Sequence, residues 1–164
     1  MKYKYTVQTF LSDLPQDFIF CTADESPHIT HVGFTTELNP QKITRILRKF
    51  CEKQCSIKTK IFAKKFFGPG GHIPVYCLEL TRKFAKFHND LVDLLEKSDT
   101  IFNRPEILRH GFKPHITDKN LAKEALRVGS VILIDRITIK QKEFSENPDT
   151  RKIIATIKFG SQNE

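Results

Sequence analysis

The sequence predicts an α+β fold, and three observations carry that expectation. Segments of alternating polar and apolar residues recur along the chain, and two longer stretches place apolar residues at helical spacing instead. The third is composition: 164 residues, 39% hydrophobic and 28% charged, suit one globular domain over residues 1–164 that buries a core without covalent staples.

Tyr3 to Phe10 alternates as a strand, and AspLeuProGln turns the chain into a second strand near Phe18 to Thr22. AspGluSerPro ends it, and His28 to Phe34 reads as the third. Period two places His28, Thr30 and Val32 on one face of this strand and Ile29, His31 and Gly33 on the other. His31 is therefore no natural partner for His28. Asn39-Pro40 starts a helix running to about Cys55, with Ile43, Ile46, Leu47 and Phe50 as its apolar stripe and Lys42, Arg45, Arg48, Lys49 and Lys53 as a solvated face.

Ser56 to Phe67 reads as a long strand, turned back at Gly68 to Gly71 into a second arm from His72 to Leu80. That glycine loop lacks a following Lys-Ser/Thr pair, so it is a turn and not a phosphate cradle. Lys83 to Lys97 is the second helix, with Phe84, Phe87, Leu91, Leu94 and Leu95 in a stripe and His88 at its boundary. Asp99 to His110 reads as a loop, Gly111 to Thr117 as a strand, and the stretch opening at Asp118 as a short helix capped by that residue. Val131 to Phe144 and Arg151 to Phe159 read as two strands joined by a polar turn, followed by a loose tail.

One tetrapeptide occurs twice. Pro27-His28-Ile29-Thr30 and Pro114-His115-Ile116-Thr117 lie 115 − 28 = 87 residues apart, each in a strand. Histidine titrates closest to neutral pH, and a threonine two residues on shares its face about 7 Å along the strand. Each copy thus offers a proton-transfer group beside a hydroxyl donor suited to an anionic oxygen.

With these residues in SerProHisIleThrHisValGlyPhe and HisGlyPheLysProHisIleThr, the chain resembles the two-histidine phosphoesterases, which include the 2′-5′ RNA ligase-like proteins and 2′,3′-cyclic phosphodiesterases. The resemblance covers essentially the whole chain. It implies a bilobal arrangement, two antiparallel sheets facing each other across a cleft with helices outside, and one His-x-Thr motif per lobe. It also implies catalytic roles for His28, Thr30, His115 and Thr117. His31 and Asp118 depart from the pattern, since an apolar residue commonly follows the threonine in that family.

The implied chemistry needs a proton removed from the attacking water and another delivered to the departing ribose oxygen, while hydroxyls donate to the non-bridging oxygens. Two imidazoles, one neutral and one protonated, meet that need without a metal or other cofactor. Run backwards, the same pair joins a 2′-hydroxyl to a cyclic phosphate. Sequence leaves the acid and base unassigned between His28 and His115. Around the motifs, Phe34 and Phe112 are candidates to stack a base and Lys113 to hold phosphate. Lys58, Lys60, Arg109 and His72 are candidates to follow an RNA backbone.

A net charge of +8 and a pI of about 9.4 suit a polyanionic partner, here RNA or a nucleotide with a cyclic or 2′-5′ phosphate. No apolar run is long enough to cross a bilayer and no secretory leader opens the chain, so a cytoplasmic monomer is expected. Cys21, Cys51, Cys55 and Cys77 form no zinc-type spacing and read as buried thiols. Two other functions stay open: a non-catalytic RNA-binding module on the same scaffold, and a metal-dependent hydrolase, for which no ligand spacing appears.

Overall fold

The computed structural model describes residues 1–118, 126–142 and 147–160. Among the described residues, ten strands and two α-helices follow in the order β1 (Tyr3–Phe10), β2 (Ile19–Cys21), β3 (His28–Thr36), α1 (Pro40–Glu52), β4 (Ile57–Phe67), β5 (Ile73–Leu78), α2 (Arg82–Glu96), β6 (Thr100–Phe102), β7 (His115–Thr117), β8 (Val131–Ile134), β9 (Arg136–Lys142) and β10 (Thr150–Lys158). The protein is α+β, and its strand pairs are antiparallel. The hydrogen-bonded path runs β2-β10-β9-β1-β3-β7-β5-β4-β8, with β6 beside the far half of β3. Two strand groups, one around β1 and β3 and one around β4 and β5, are joined through the short β3–β7 ladder.

Both helices begin where their caps dictate. Asn39 Oδ1 accepts from the Lys42 amide at 3.0 Å with Pro40 in the first turn, and Thr81 Oγ1 accepts from the Phe84 amide at 3.1 Å. Ile43, Leu47 and Cys51 of α1 and Phe84, Phe87, Leu91, Val92 and Leu95 of α2 are buried in one cluster with Tyr5, Val7, Ile29, Phe34, Ile116, Ile137 and Ile139. The helices meet where the Phe50 and Phe87 rings pack 5.7 Å apart. Burying these side chains is worth roughly 1.5–3 kcal/mol each, which makes this cluster the main source of stability. Because Ile29 and Ile116 face it, the residues flanking them point to the other side of the sheet.

The structure corrects several expectations. Alternation from Val131 to Phe144 hides two strands, since the chain changes partner at Asp135: β8 pairs with β4, whereas β9 pairs with β1 and β10. Alternation reports which face is buried and carries no information about the neighbour. In β3 the register against β1 slips between Val7 and Gln8, so Val7 opposes Val32 and Gln8 opposes Thr30, leaving His31 as the extra residue of a bulge. The bulge turns Val32 into the core, away from the face it was expected to share with His28 and Thr30. His88 is a core residue, 1% exposed, rather than a boundary one. Cys21 and Cys55 are half-buried rather than buried. β7 is three residues long because Arg109–Gly111 forms a tight helical turn, and the expected loop before it holds β6. The expected helix after Asp118 and the end of the tail fall largely outside the described residues, as does part of the turn before β10. No described helix is long and apolar enough to cross a membrane.

Candidate active site

The central pairing of the β3–β7 ladder is Ile29 opposite Ile116. In an antiparallel pair this sets His28 opposite Thr117 and Thr30 opposite His115. The isoleucines are fully buried beneath, so all four polar side chains lie on the opposite face. The two histidines are diagonal neighbours across the pair, with Cα atoms about 7–8 Å apart. The motifs thus sit on adjacent strands related by an approximate twofold through the two isoleucines.

Neighbouring ladders extend this pattern into two rows. One runs Thr138, Gln8, Thr30, His115, Cys77 and Ala63; the other runs Phe10, His28, Thr117, Val75 and Lys65. Both imidazoles are held alike. His28 Nδ1 lies 2.8 Å from the Ser26 carbonyl and His115 Nδ1 lies 2.8 Å from the Lys113 carbonyl. A carbonyl only accepts, so each Nδ1 carries hydrogen and each Nε2 is the nitrogen that gains or loses the second proton. A phenylalanine ring flanks each: Phe10 at 5.2 Å from His28, and Phe67 at 5.0 Å from His115.

Around His28 the chain buries charge. Glu25 Oε1 is 3.7 Å from His28 Nε2 and accepts from Lys140 Nζ at 2.6 Å. Burial alone would raise the Glu25 carboxyl, but His28, Lys140 and a hydrogen bond from Gln8 outweigh it and hold the group below the usual carboxylate range. Gln8 Nε2 also donates to Thr30 Oγ1 at 3.3 Å. On the other side, burial pushes the Cys77 thiol up while the charges of Lys65 and Lys113 pull it down, which puts both ammonium groups within electrostatic reach of the residue opposite His115. Among the described residues no three His, Cys, Asp or Glu side chains gather as a metal site would require.

No family model and no curated protein matches the sequence. Solved structures do match by shape. TT0787 of Thermus thermophilus aligns over 98% of this chain and 100% of its own with a TM-score of 0.65 at 12% identity. A protein described as a phosphoesterase aligns over 99% and 100% with a TM-score of 0.59 at 16% identity. E. coli LigT complexed with NADP+ aligns over 98% and 100% with a TM-score of 0.58 at 15% identity, and LigT has also been crystallised with 3′-AMP and with phosphate. The chain has a LigT-like fold.

Within this LigT-like fold the other candidate residues scatter. Phe34 is fully buried in the helix-side core and Phe112 lies under the His88 ring, stacked 3.7 Å away, so neither faces a base. Arg109 is engaged structurally: its guanidinium bonds Asp93 at 2.7 Å and Glu96 at 2.9 Å, and its amide donates to His88 Nε2. Lys58 and Lys60 are exposed on the β4–β8 ladder, beyond the bulge in the β4–β5 pairing, and Lys60 lies 3.9 Å from Glu79. His72 is exposed at the tip of the β4–β5 hairpin, whose Phe67 reaches His115. Lys113 is exposed beside His115 and lends it a carbonyl. His31 is buried against Phe84 and Phe87 on the far face, its Nε2 donating to Thr9 Oγ1 because that hydroxyl already donates to the Arg136 carbonyl.

Sequence reasoning missed Glu25, Lys140, Gln8, Phe10, Phe67 and Lys65. Lys140 carried a signal: in ArgIleThrIleLys it alternates with two buried isoleucines, so it had to lie on the polar side.

Proposed function

We propose that this chain is a metal-independent phosphoesterase that opens 2′,3′-cyclic phosphates on RNA ends or nucleotides, or cleaves and joins 2′-5′ linkages, with His28 and His115 as the proton-transfer pair. The observation that carries the reading is the register of Ile29 against Ile116, which gathers two imidazoles and two hydroxyls on one face with free rotation of neither ring. A single phosphate can then meet an acid, a base and two hydrogen-bond donors at once. Lys65 and Lys113 add positive charge for the phosphate oxygens. That LigT, of similar fold, binds 3′-AMP, NADP+ and phosphate favours a nucleotide-sized anionic ligand here.

The test is turnover of 2′,3′-cyclic nucleotides and cyclic-phosphate oligonucleotides in the presence of chelator. Wild type should turn over, and His28→Ala or His115→Ala should each lower kcat by about a hundredfold to ten-thousandfold. Thr30→Val and Thr117→Val should cost less, since each removes one hydrogen bond and leaves the proton path intact. RNA binding without turnover, unaffected by both histidine changes, would instead identify a binding module.

A further inference from the structure

The two His-Ile-Thr units match in nearly every local respect: the carbonyl on Nδ1, the adjacent phenylalanine, the threonine two residues on. Their charged neighbours differ. His28 has a carboxylate beside it, Glu25 Oε1 at 3.7 Å from Nε2, whose position is locked by Lys140 at 2.6 Å. Both members of that pair are withdrawn from solvent, Glu25 at 6% and Lys140 at 7% exposure. Among the described residues His115 has no such partner; the acidic residue nearest it in sequence, Asp118, bonds Lys64 at 3.0 Å.

We propose that Glu25, anchored by Lys140, is a positioning residue that keeps the surplus proton of the histidine pair on His28, making His28 the acid of the hydrolytic direction and His115 the base. The assignment of roles rests on the phosphoesterase reading above. A separation of 3.7 Å exceeds a hydrogen bond, so the carboxylate acts through its charge. Burial strengthens that action by removing the water that would screen it. Among the described residues, Phe10 and Gln8 of β1 and Thr117 of β7 also face His28 and are neutral; Lys140 of β9 donates to Glu25, and the buried His31, on the opposite face, is neutral at neutral pH. The lowered carboxyl of Glu25, to which His28 contributes, is the reciprocal sign of the same interaction.

In the forward step a water proton passes to His115 Nε2 as the water oxygen bonds to phosphorus. The bond from phosphorus to one ribose oxygen breaks, and that oxygen takes the proton from His28 Nε2. One water is consumed, and the imidazoles end with exchanged charge states that re-equilibrate with solvent.

The test reads the imidazoles directly. In a pH titration followed by NMR at the Cε1–H groups, Glu25→Gln should move the His28 curve about one pH unit lower and leave the His115 curve in place. Glu25→Gln also takes from Lys140 its buried carboxylate, so Glu25→Gln/Lys140→Met provides the control: the His28 curve should still fall below wild type. An unmoved His28 curve in the single variant, or a return to the wild-type curve in the double variant, would overturn the positioning role, the latter because the charge of Lys140, no longer offset by Glu25, would then explain the shift. These titrations need no substrate and stand whether or not the chain turns over cyclic phosphates. With turnover in hand, the alkaline limb of the pH–kcat profile should move lower in Glu25→Gln; movement of the acid limb instead would reverse the roles.

Discussion

Two histidines that play no part in the proposed chemistry govern how the protein responds to acid. Burial lowers His31 from 6.5 to about 3, with the charges of His88 and His28 adding to the effect, and lowers His88 to about 4 through burial and the nearby Arg109. In the unfolded chain both take up protons near 6.5, whereas the folded chain refuses them. The unfolded state thus binds more protons below that value, and stability must fall as pH falls from about 6.5 toward 4, by at most about 1.4 kcal/mol per pH unit for each histidine. Glu25 acts at lower pH, since a depressed carboxyl holds its stabilising charge until pH drops through its folded value. Thermal unfolding between pH 7 and 4.5 should therefore isolate the histidines: Tm declines steadily, and His31→Gln, though less stable at pH 7, declines less steeply. An equal slope in the variant would show that His31 is not the group being titrated. The same residue marks a limit of sequence reading. That His31 and His28 lie on opposite faces follows from period two, but the bulge that sends Val32 into the core beside His31 does not, because it exists only in the register with β1.

The element that carries the second motif is short and is aimed by the turn before it. Gly111 closes the Arg109–Gly111 turn, its amide bonding the Leu108 carbonyl at 3.1 Å, and a Cβ built there would stand 2.1 Å from the backbone oxygen of Glu106. Backbone cannot yield as a flexible side chain does. Gly111→Ala should therefore shift the run into β7, costing about 1–3 kcal/mol of stability and lowering turnover by more than the stability loss alone explains, because His115 is placed by that run. Chemical denaturation and kcat measured on the same preparation check this; unchanged values for both would mean the turn is tolerant and β7 is set by its ladders alone. Both helices and most strands are legible in the sequence because caps, stripes and alternation are local signals. Partners are not. Nothing within ArgIleThrIleLys says that its lysine will meet Glu25 across 115 residues, and nothing near Phe67 says that it will flank His115.

At the scale of the whole molecule, the charge of +8 is spread over faces with different roles. Lys65 and Lys113 lie beside the candidate site, whereas Arg45 and Arg48 of α1 line a separate hollow of about 580 Å³ with Lys152 and Gln16, formed where α1 meets β9 and β10. If RNA is bound through such charges, affinity should fall steeply between about 50 and 200 mM salt, roughly as each phosphate contact releases a counterion. Binding that is flat across that range would point to a small nucleotide held by the histidines and threonines alone. Fold class was legible at this scale from alternation and stripes. The joining of the two strand groups through the motif strands themselves was not, since only the assembled ladders reveal it.

That junction governs when the candidate site can form. Ile29 and Ile116 pair across 116 − 29 = 87 residues, and their ladder is three residues long on the β7 side. Such closure is entropically costly and is compensated only once both strand groups and the helices beneath them are in place. The candidate site is therefore not contained in any local fragment of the chain: a nascent polypeptide holding β1 to β5 has one of the two His-Ile-Thr units and lacks the other. During synthesis or refolding, helix and hairpin signals can appear while the candidate site is still unformed, and under the proposed function turnover would return only once the β3–β7 ladder has closed. Under the proposed function, activity would serve as a clock hand for the closure of that ladder.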